Sequence, residues 1–173
     1  MEYSPVAKWF HWTTVVLIGI ALPLGYVIGH VKDSDKMAFY AIHESAGLTL
    51  LAVASARLIY RWRHPPPPEP HLPRPMRLAS GAVHGALYAA LIAQPVTGFL
   101  ATNAYGFPMQ GATAYLGLID LPKFMETNVP LASALSAAHG WIGLSIVTLL
   151  VLHIGAVVFH QAIRKDDTLL RMV

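Results

Sequence analysis

His139 to His160, HGWIGLSIVTLLVLHIGAVVFH, contains three histidines and no Asp, Glu, Lys or Arg, and the uncharged run extends from Leu131 to Ile163. A helix needs about 20 mostly apolar residues to cross the hydrocarbon core of a bilayer, so this stretch predicts a transmembrane helix that overhangs the membrane. The histidines are its informative part, because an ionisable side chain inside hydrocarbon is costly and usually functional. His153 follows His139 by 14 residues, which is roughly 21 Å along a helix and within about 40° of the same direction. His160 comes seven residues later and drifts by about another 20°. All three fall on one inward stripe. Gly140, Gly143 and Gly155 lie close by, leaving room for a large flat group or for close helix contact.

Outward from this stretch, three more apolar runs appear, from about Val6 to Ile28, Phe39 to Tyr60 and Ala82 to Thr102. Each is long enough to span. Ser4-Pro5 is a cap followed by a proline at the first helical position. Val31 to Lys36 reads as a short polar turn. The prolines at 65 to 68, 70, 73 and 75 predict a stiff, extended, non-helical linker over residues 64–76. Asn103 to Asn128 is a longer loop with several glycines. Pro23 and Pro95 are expected to kink their helices, which membrane helices tolerate.

Composition agrees with a membrane protein. Of 173 residues, 55% are hydrophobic and 12% charged, against about 25% charged in a soluble domain. Mean hydropathy is +0.50. The length suits a single domain, residues 1–173. The net charge of +3 resides almost wholly in loops, where membrane topology explains it, so no nucleic-acid partner is implied. The absence of cysteine excludes thiolate iron–sulfur ligation, disulfides and thioether-linked haem. No cleavable signal peptide is evident.

Lys and Arg counts set an orientation. Lys8, Arg57, Arg61, Arg63, Arg74, Arg77, Arg164, Lys165 and Arg171 fall on one side, against Lys32, Lys36 and Lys123 on the other. Both termini and the proline-rich linker are therefore expected to be cytoplasmic.

Six of the nine histidines lie in the predicted helices. His30, His64 and His71 lie in loops or at a helix end. His43, near the start of helix two, is level with His139. His11, near the start of helix one, and His84, near the start of helix three, compete to partner His153 from the cytoplasmic half. Two histidines at each of two depths fit bis-histidine haem, one neutral imidazole on each face of the macrocycle. With both axial positions filled, such iron passes electrons rather than binding oxygen. The expected fold is an all-α, four-helix membrane bundle with two b haems stacked in its interior. His43 with His139 is assigned to the outer haem and His153 with His11 to the inner, His84 remaining the rival. A zinc cluster would instead gather its ligands at one depth. Arg57 and Arg63 are candidates for pairing with haem propionates, although topology alone would also put arginines there. Glu44, directly after His43, either accepts a hydrogen bond or faces the aqueous edge.

At these residues the sequence resembles the bacterial cytochrome b561 family over nearly its whole length. The likeness is carried by His11-Trp12; by His43, Gly47, Arg57-Leu58, Arg61-Trp62-Arg63 and the four prolines from Pro65; by His84, Tyr88, Pro95 and Gly98; and by His139, His153, His160 and Asp167-Thr168-Leu169-Leu170-Arg171-Met172. The resemblance implies a di-haem protein of the bacterial inner membrane, liganded by His11 with His153 and His43 with His139. It further implies superoxide oxidation at the periplasmic side, coupled to ubiquinone reduction, with His160 at the quinone site. Arg77 and Arg164 are its candidate neighbours. Other members of the wider family are electron-carrying subunits of dehydrogenases or hydrogenases, so the alternative is a haem-b relay or anchor subunit linking quinone to a partner dehydrogenase or other redox protein, with superoxide or a periplasmic redox protein as the partner outside.

An anionic substrate is steered by positive charge, and Lys32, Lys36 and Lys123, with His30, are the residues available outside. Asp33, Asp35, Asp120 and Glu126 share those loops, so a solvated mixed-charge surface is the plainer expectation there. A haem-free transporter or scaffold is the weakest of the functional readings.

Overall fold

Ser4 fixes where the chain turns helical: its side chain accepts a hydrogen bond from the Ala7 amide at 3.3 Å, and Pro5 occupies the first turn. In the computed structural model, which describes residues 2–66 and 72–173, four long helices follow in order: α1 (Pro5–Ile28), α2 (Lys36–Arg63), α3 (Arg74–Tyr105) and α4 (Val129–Val158). All four are long and apolar enough to cross a membrane. They pack as consecutive neighbours, α1 on α2, α2 on α3 and α3 on α4. Tyr3 donates its amide to the Arg171 carbonyl at 3.1 Å, so both ends of the chain meet at one end of the bundle. The connections α1–α2 and α3–α4 lie at the other, here called the loop end.

Helix boundaries exceed the apolar runs. α3 begins at Arg74, eight residues before the expected Ala82, and includes Pro75 in its first turn. Proline is tolerated there because that amide has no intrahelical acceptor. The linker expected over 64–76 is thus shortened from its far side; Pro67, Pro68, Pro70 and His71 lie outside the described residues. Both Pro23 and Pro95 sit within unbroken helices. α3 stops where Gly106 adopts φ +89°, a left-handed cap that glycine takes without a Cβ clash. Asn128 caps α4 by accepting from the Leu131 amide at 3.0 Å. Beyond Val158 the helix widens into a π-helical turn, Phe159–Arg164, that ends at Lys165 with φ +52°.

The core is a thin aliphatic layer of Ile18, Leu50, Ala54, Leu91 and Ile146. Its register is set by the histidines. Ile18, Leu50 and Leu91 each lie seven residues beyond His11, His43 and His84, and Ile146 lies midway between His139 and His153. Seven residues are about two turns, or roughly 10 Å. The layer therefore divides the bundle interior, with histidines above and below it.

Candidate functional site: two histidine pairs

At the loop end, α2 and α4 bring His43 and His139 together with ring centroids 6.1 Å apart and planes crossing at 81°. Each ring is fixed through Nδ1. His43 Nδ1 donates to the Ala21 carbonyl at 2.9 Å, and His139 Nδ1 to the Gln94 carbonyl at 2.8 Å. That sets the tautomer in which Nε2 carries the lone pair, the arrangement that prepares an imidazole to bind metal. The close approach is allowed by glycine. A Cβ on Gly25 would come within 3.0 Å of His43 Cε1, and one on Gly98 within 2.8 Å of His139 Cε1. A cavity of about 260 Å³, lined by Tyr40, Glu44, Gly47, Thr102 and both histidines, opens beside the pair.

Gln94 completes this end. Its amide nitrogen stands 3.1 Å from His139 Nε2, while its buried side-chain oxygen has no partner. A buried orphan oxygen is costly, which marks Gln94 as a side chain set against a space built for something else.

At the other end, His153 is flanked by two imidazoles, His11 at 6.3 Å and His84 at 5.2 Å between centroids. Arg57 donates to His11 Nδ1 at 3.0 Å and lies over the Tyr88 ring, which Arg61 also approaches. His84 Nδ1 lies 3.2 Å from Ser80 Oγ. Arg63 is exposed at the end of α2.

The spacing can be tested against haem iron. An imidazole nitrogen binds a metal at about 2.0–2.1 Å, and the ring centre lies about 1 Å beyond, so two rings on one iron stand roughly 6 Å apart. His43 with His139 and His11 with His153 both meet this spacing, while His84 stands closer to His153. At the loop end the donor set also fits: the Nδ1 bonds leave the lone pair of each ring on Nε2, and at His139 the Gln94 amide nitrogen, 3.1 Å away, would give way to a metal. Among the described residues, no three His, Asp or Glu side chains gather around one point as a metal cluster would require.

His160 lies on the π turn, where Asp166 holds Nδ1 at 2.7 Å and Thr168 Oγ1 lies 3.3 Å from it. Arg164 Nε reaches the same Asp166 oxygen at 2.9 Å, and its Nη1 reaches Met76 Sδ at 3.6 Å. Desolvation alone would raise the Asp166 carboxyl, but hydrogen bonds from Thr168, His160 and Arg164 hold it well below the ordinary carboxylate range. Arg77 is exposed in the first turns of α3. Lys32 lies between α1 and α2, Lys36 is the first residue of α2, and Lys123 is on the α3–α4 connection, where it donates to Thr127 Oγ1 at 2.9 Å.

The sequence reading missed Gln94, Gly25 and Asp166. An amide inside an apolar helix was the available signal for Gln94. The other two depend on contacts between helices or across the π turn.

Residues 2–173 match the family model described as prokaryotic cytochrome b561, a family that binds b haems. Cytochrome b561 homolog 2 of Escherichia coli (strain K12) is 32% identical over 175 residues, covering 99% of this chain and 91% of that protein. The "Probable superoxide oxidase CybB" of Yersinia pestis is 30% identical over 173 residues, covering 99% and 96%. Cytochrome b561 homolog 1 of Escherichia coli (strain K12) is 27% identical over 181 residues, covering 99% and 97%.

Proposed function

The chain belongs to the prokaryotic cytochrome b561 family of membrane electron-transfer proteins, and from that footing we propose that it is a superoxide:ubiquinone oxidoreductase of the bacterial inner membrane. The observation that supports its di-haem core is the pair of ring separations, 6.1 Å for His43–His139 and 6.3 Å for His11–His153, on opposite sides of the aliphatic layer. His43 and His139 would hold one b haem, and His11 and His153 the second. Bound haem would supply one-electron transfer.

The chain's own residues do the rest. With both termini cytoplasmic, the loop end is periplasmic, and Lys32, Lys36 and Lys123 attract the superoxide anion there. The Ala21 and Gln94 carbonyls keep the His43 and His139 protons on Nδ1. Arg57, and Arg63 at the helix end, are placed to neutralise propionates, and His84 stands behind His153 as a neighbour rather than a ligand. At the termini end, Asp166 holds His160 through Nδ1, leaving Nε2 to meet a quinone oxygen, with Arg164 and Arg77 nearby. Two superoxide ions each lose one electron and leave as dioxygen. Ubiquinone takes up those two electrons and two protons to become ubiquinol.

The relationship to a probable superoxide oxidase supports the donor. The test is haem content per purified chain, followed by stopped-flow mixing with superoxide and then a soluble ubiquinone. Two b haems, fast reduction by superoxide and reoxidation by quinone are expected. Haem that superoxide leaves oxidised, but a co-purifying partner reduces, would overturn the enzyme reading in favour of a relay subunit.

A further inference from the structure

The connection between α3 and α4 carries an element that its composition and bonding suit to lipid. No Asp, Glu, Lys or Arg occurs from Leu78 to Ile119, so the uncharged run of α3 continues past the helix end into the loop. Its tip is a tight turn closed by a single antiparallel bridge between Tyr115 and Ile119. Leu116 adopts φ +54° there, in the left-handed region that an L side chain rarely takes. Leu118 is 85% exposed, and Leu116 and Ile119 are exposed beside it.

Depth is fixed by α2. The Leu116 amide donates to Ser45 Oγ at 3.0 Å, and Tyr115 Oη lies 3.0 Å from Thr49 Oγ1. Ser45 and Thr49 fall in the stretch of α2 between Glu44 and Arg57 that carries no charge. They lie two and six residues further into the bundle than His43, which is roughly 3 and 9 Å. The turn is therefore alongside the spanning part of α2, not above it.

Backbone at that depth must satisfy its own amides, because hydrocarbon offers no partner. All five amides of the turn are satisfied. Tyr115 donates to Ile119 O at 2.8 Å, Gly117 to Ala114 O at 2.8 Å, Leu118 to Tyr115 O at 3.1 Å and Ile119 to Tyr115 O at 3.0 Å, with Leu116 on Ser45. The first charged group, Asp120, turns back to accept from the Gly111 amide at 2.8 Å. A turn exposed to water would need neither every amide paired nor three outward aliphatic side chains.

We propose that Tyr115–Ile119 is inserted in the leaflet at the loop end, with Leu116, Leu118 and Ile119 against lipid acyl chains. This is a lipid-binding element within what would otherwise be a surface loop. It braces the loop against α2 beside the His43–His139 pair. The inference rests on the membrane topology and not on the choice of electron donor.

The chain has no cysteine, so single-cysteine variants can be labelled cleanly with a nitroxide. Leu118→Cys and Ile119→Cys probe the turn in full-length protein reconstituted into phosphatidylethanolamine–phosphatidylglycerol vesicles. Val151→Cys, on an exposed face of α4, is the lipid reference, and Glu126→Cys the aqueous one. Collision rates with dissolved oxygen and with a water-soluble nickel chelate are read by electron paramagnetic resonance. The oxygen-to-nickel ratio at 118 and 119 is expected to match Val151→Cys and to exceed Glu126→Cys several-fold. A ratio equal to that of Glu126→Cys would place the turn in water and overturn the proposal. Protection from both reagents would place protein against it, with the same consequence.

Discussion

His139 meets Gln94 twice: Nδ1 donates to the Gln94 main-chain oxygen at 2.8 Å, and Nε2 faces the Gln94 side-chain nitrogen at 3.1 Å. The first contact prepares the imidazole for a metal. The second occupies the nitrogen that a metal would take. Gln94→Leu keeps the carbonyl and removes the competitor. One hydrogen bond is worth about 1 kcal/mol net, so the haem affinity of the loop-end site should rise about fivefold. Haem titration of apoprotein by absorbance measures this, and a fall in affinity would show that the amide supports the site instead.

Gly98 has no room to grow. A Cβ there would stand 2.8 Å from His139 Cε1, and the ring cannot swing away without losing its Gln94 bond. Gly98→Val should cut haem content from two per chain to one, as read by pyridine haemochrome. Gly25→Ala, meeting His43 at 3.0 Å, should act in the same direction but less completely.

Variants at the termini end test which ring is ligand and which is neighbour. His11→Ala should abolish one haem, because it removes the ring 6.3 Å from His153. His84→Ala should retain both and alter the spectrum only slightly. Loss of a haem in His84→Ala with retention in His11→Ala would reverse the assignment. His139→Ala should likewise cost one haem and spare the other.

Asp166 gives a pH sign. Its carboxyl titrates below the ordinary range in the folded chain, so its stabilising contribution is complete above about 3.9, the value of an unfolded Asp. That contribution is lost only as pH falls through the depressed folded value. The His160–Asp166–Arg164 cluster should therefore survive acidification from pH 7 to 5. Asp166→Asn and His160→Ala should slow quinol formation severalfold throughout that window while leaving haem content unchanged. Quinol formation rate against pH, with haem per chain, checks both halves.

The four helices were legible because roughly 20 mostly apolar residues in a row have few alternatives to spanning a bilayer. The start of α3 was not, because Arg74, Pro75 and Arg77 lower the hydropathy of a segment whose backbone is nonetheless helical. The histidine stripe on α4 followed from helical periodicity. The choice between His11 and His84 did not, since sequence spacing gives depth along a helix but not the gap between helices. The structure brings both rings to His153 and distinguishes them by about one ångström (6.3 against 5.2). The order within Gly106 to Asn128 was also hidden. It depends on distant partners, with Asn103 Oδ1 holding the Phe124 amide at 3.1 Å and Ser45 holding that of Leu116.

The layer of Ile18, Leu50, Ala54, Leu91 and Ile146 has a consequence for what crosses the membrane. A proton moves by hopping between hydrogen-bonding groups, and these five side chains offer none. An electron tunnels through saturated carbon without such a chain. On the proposed di-haem reading, the layer would insulate against protons while electrons tunnel through it from one histidine pair to the other.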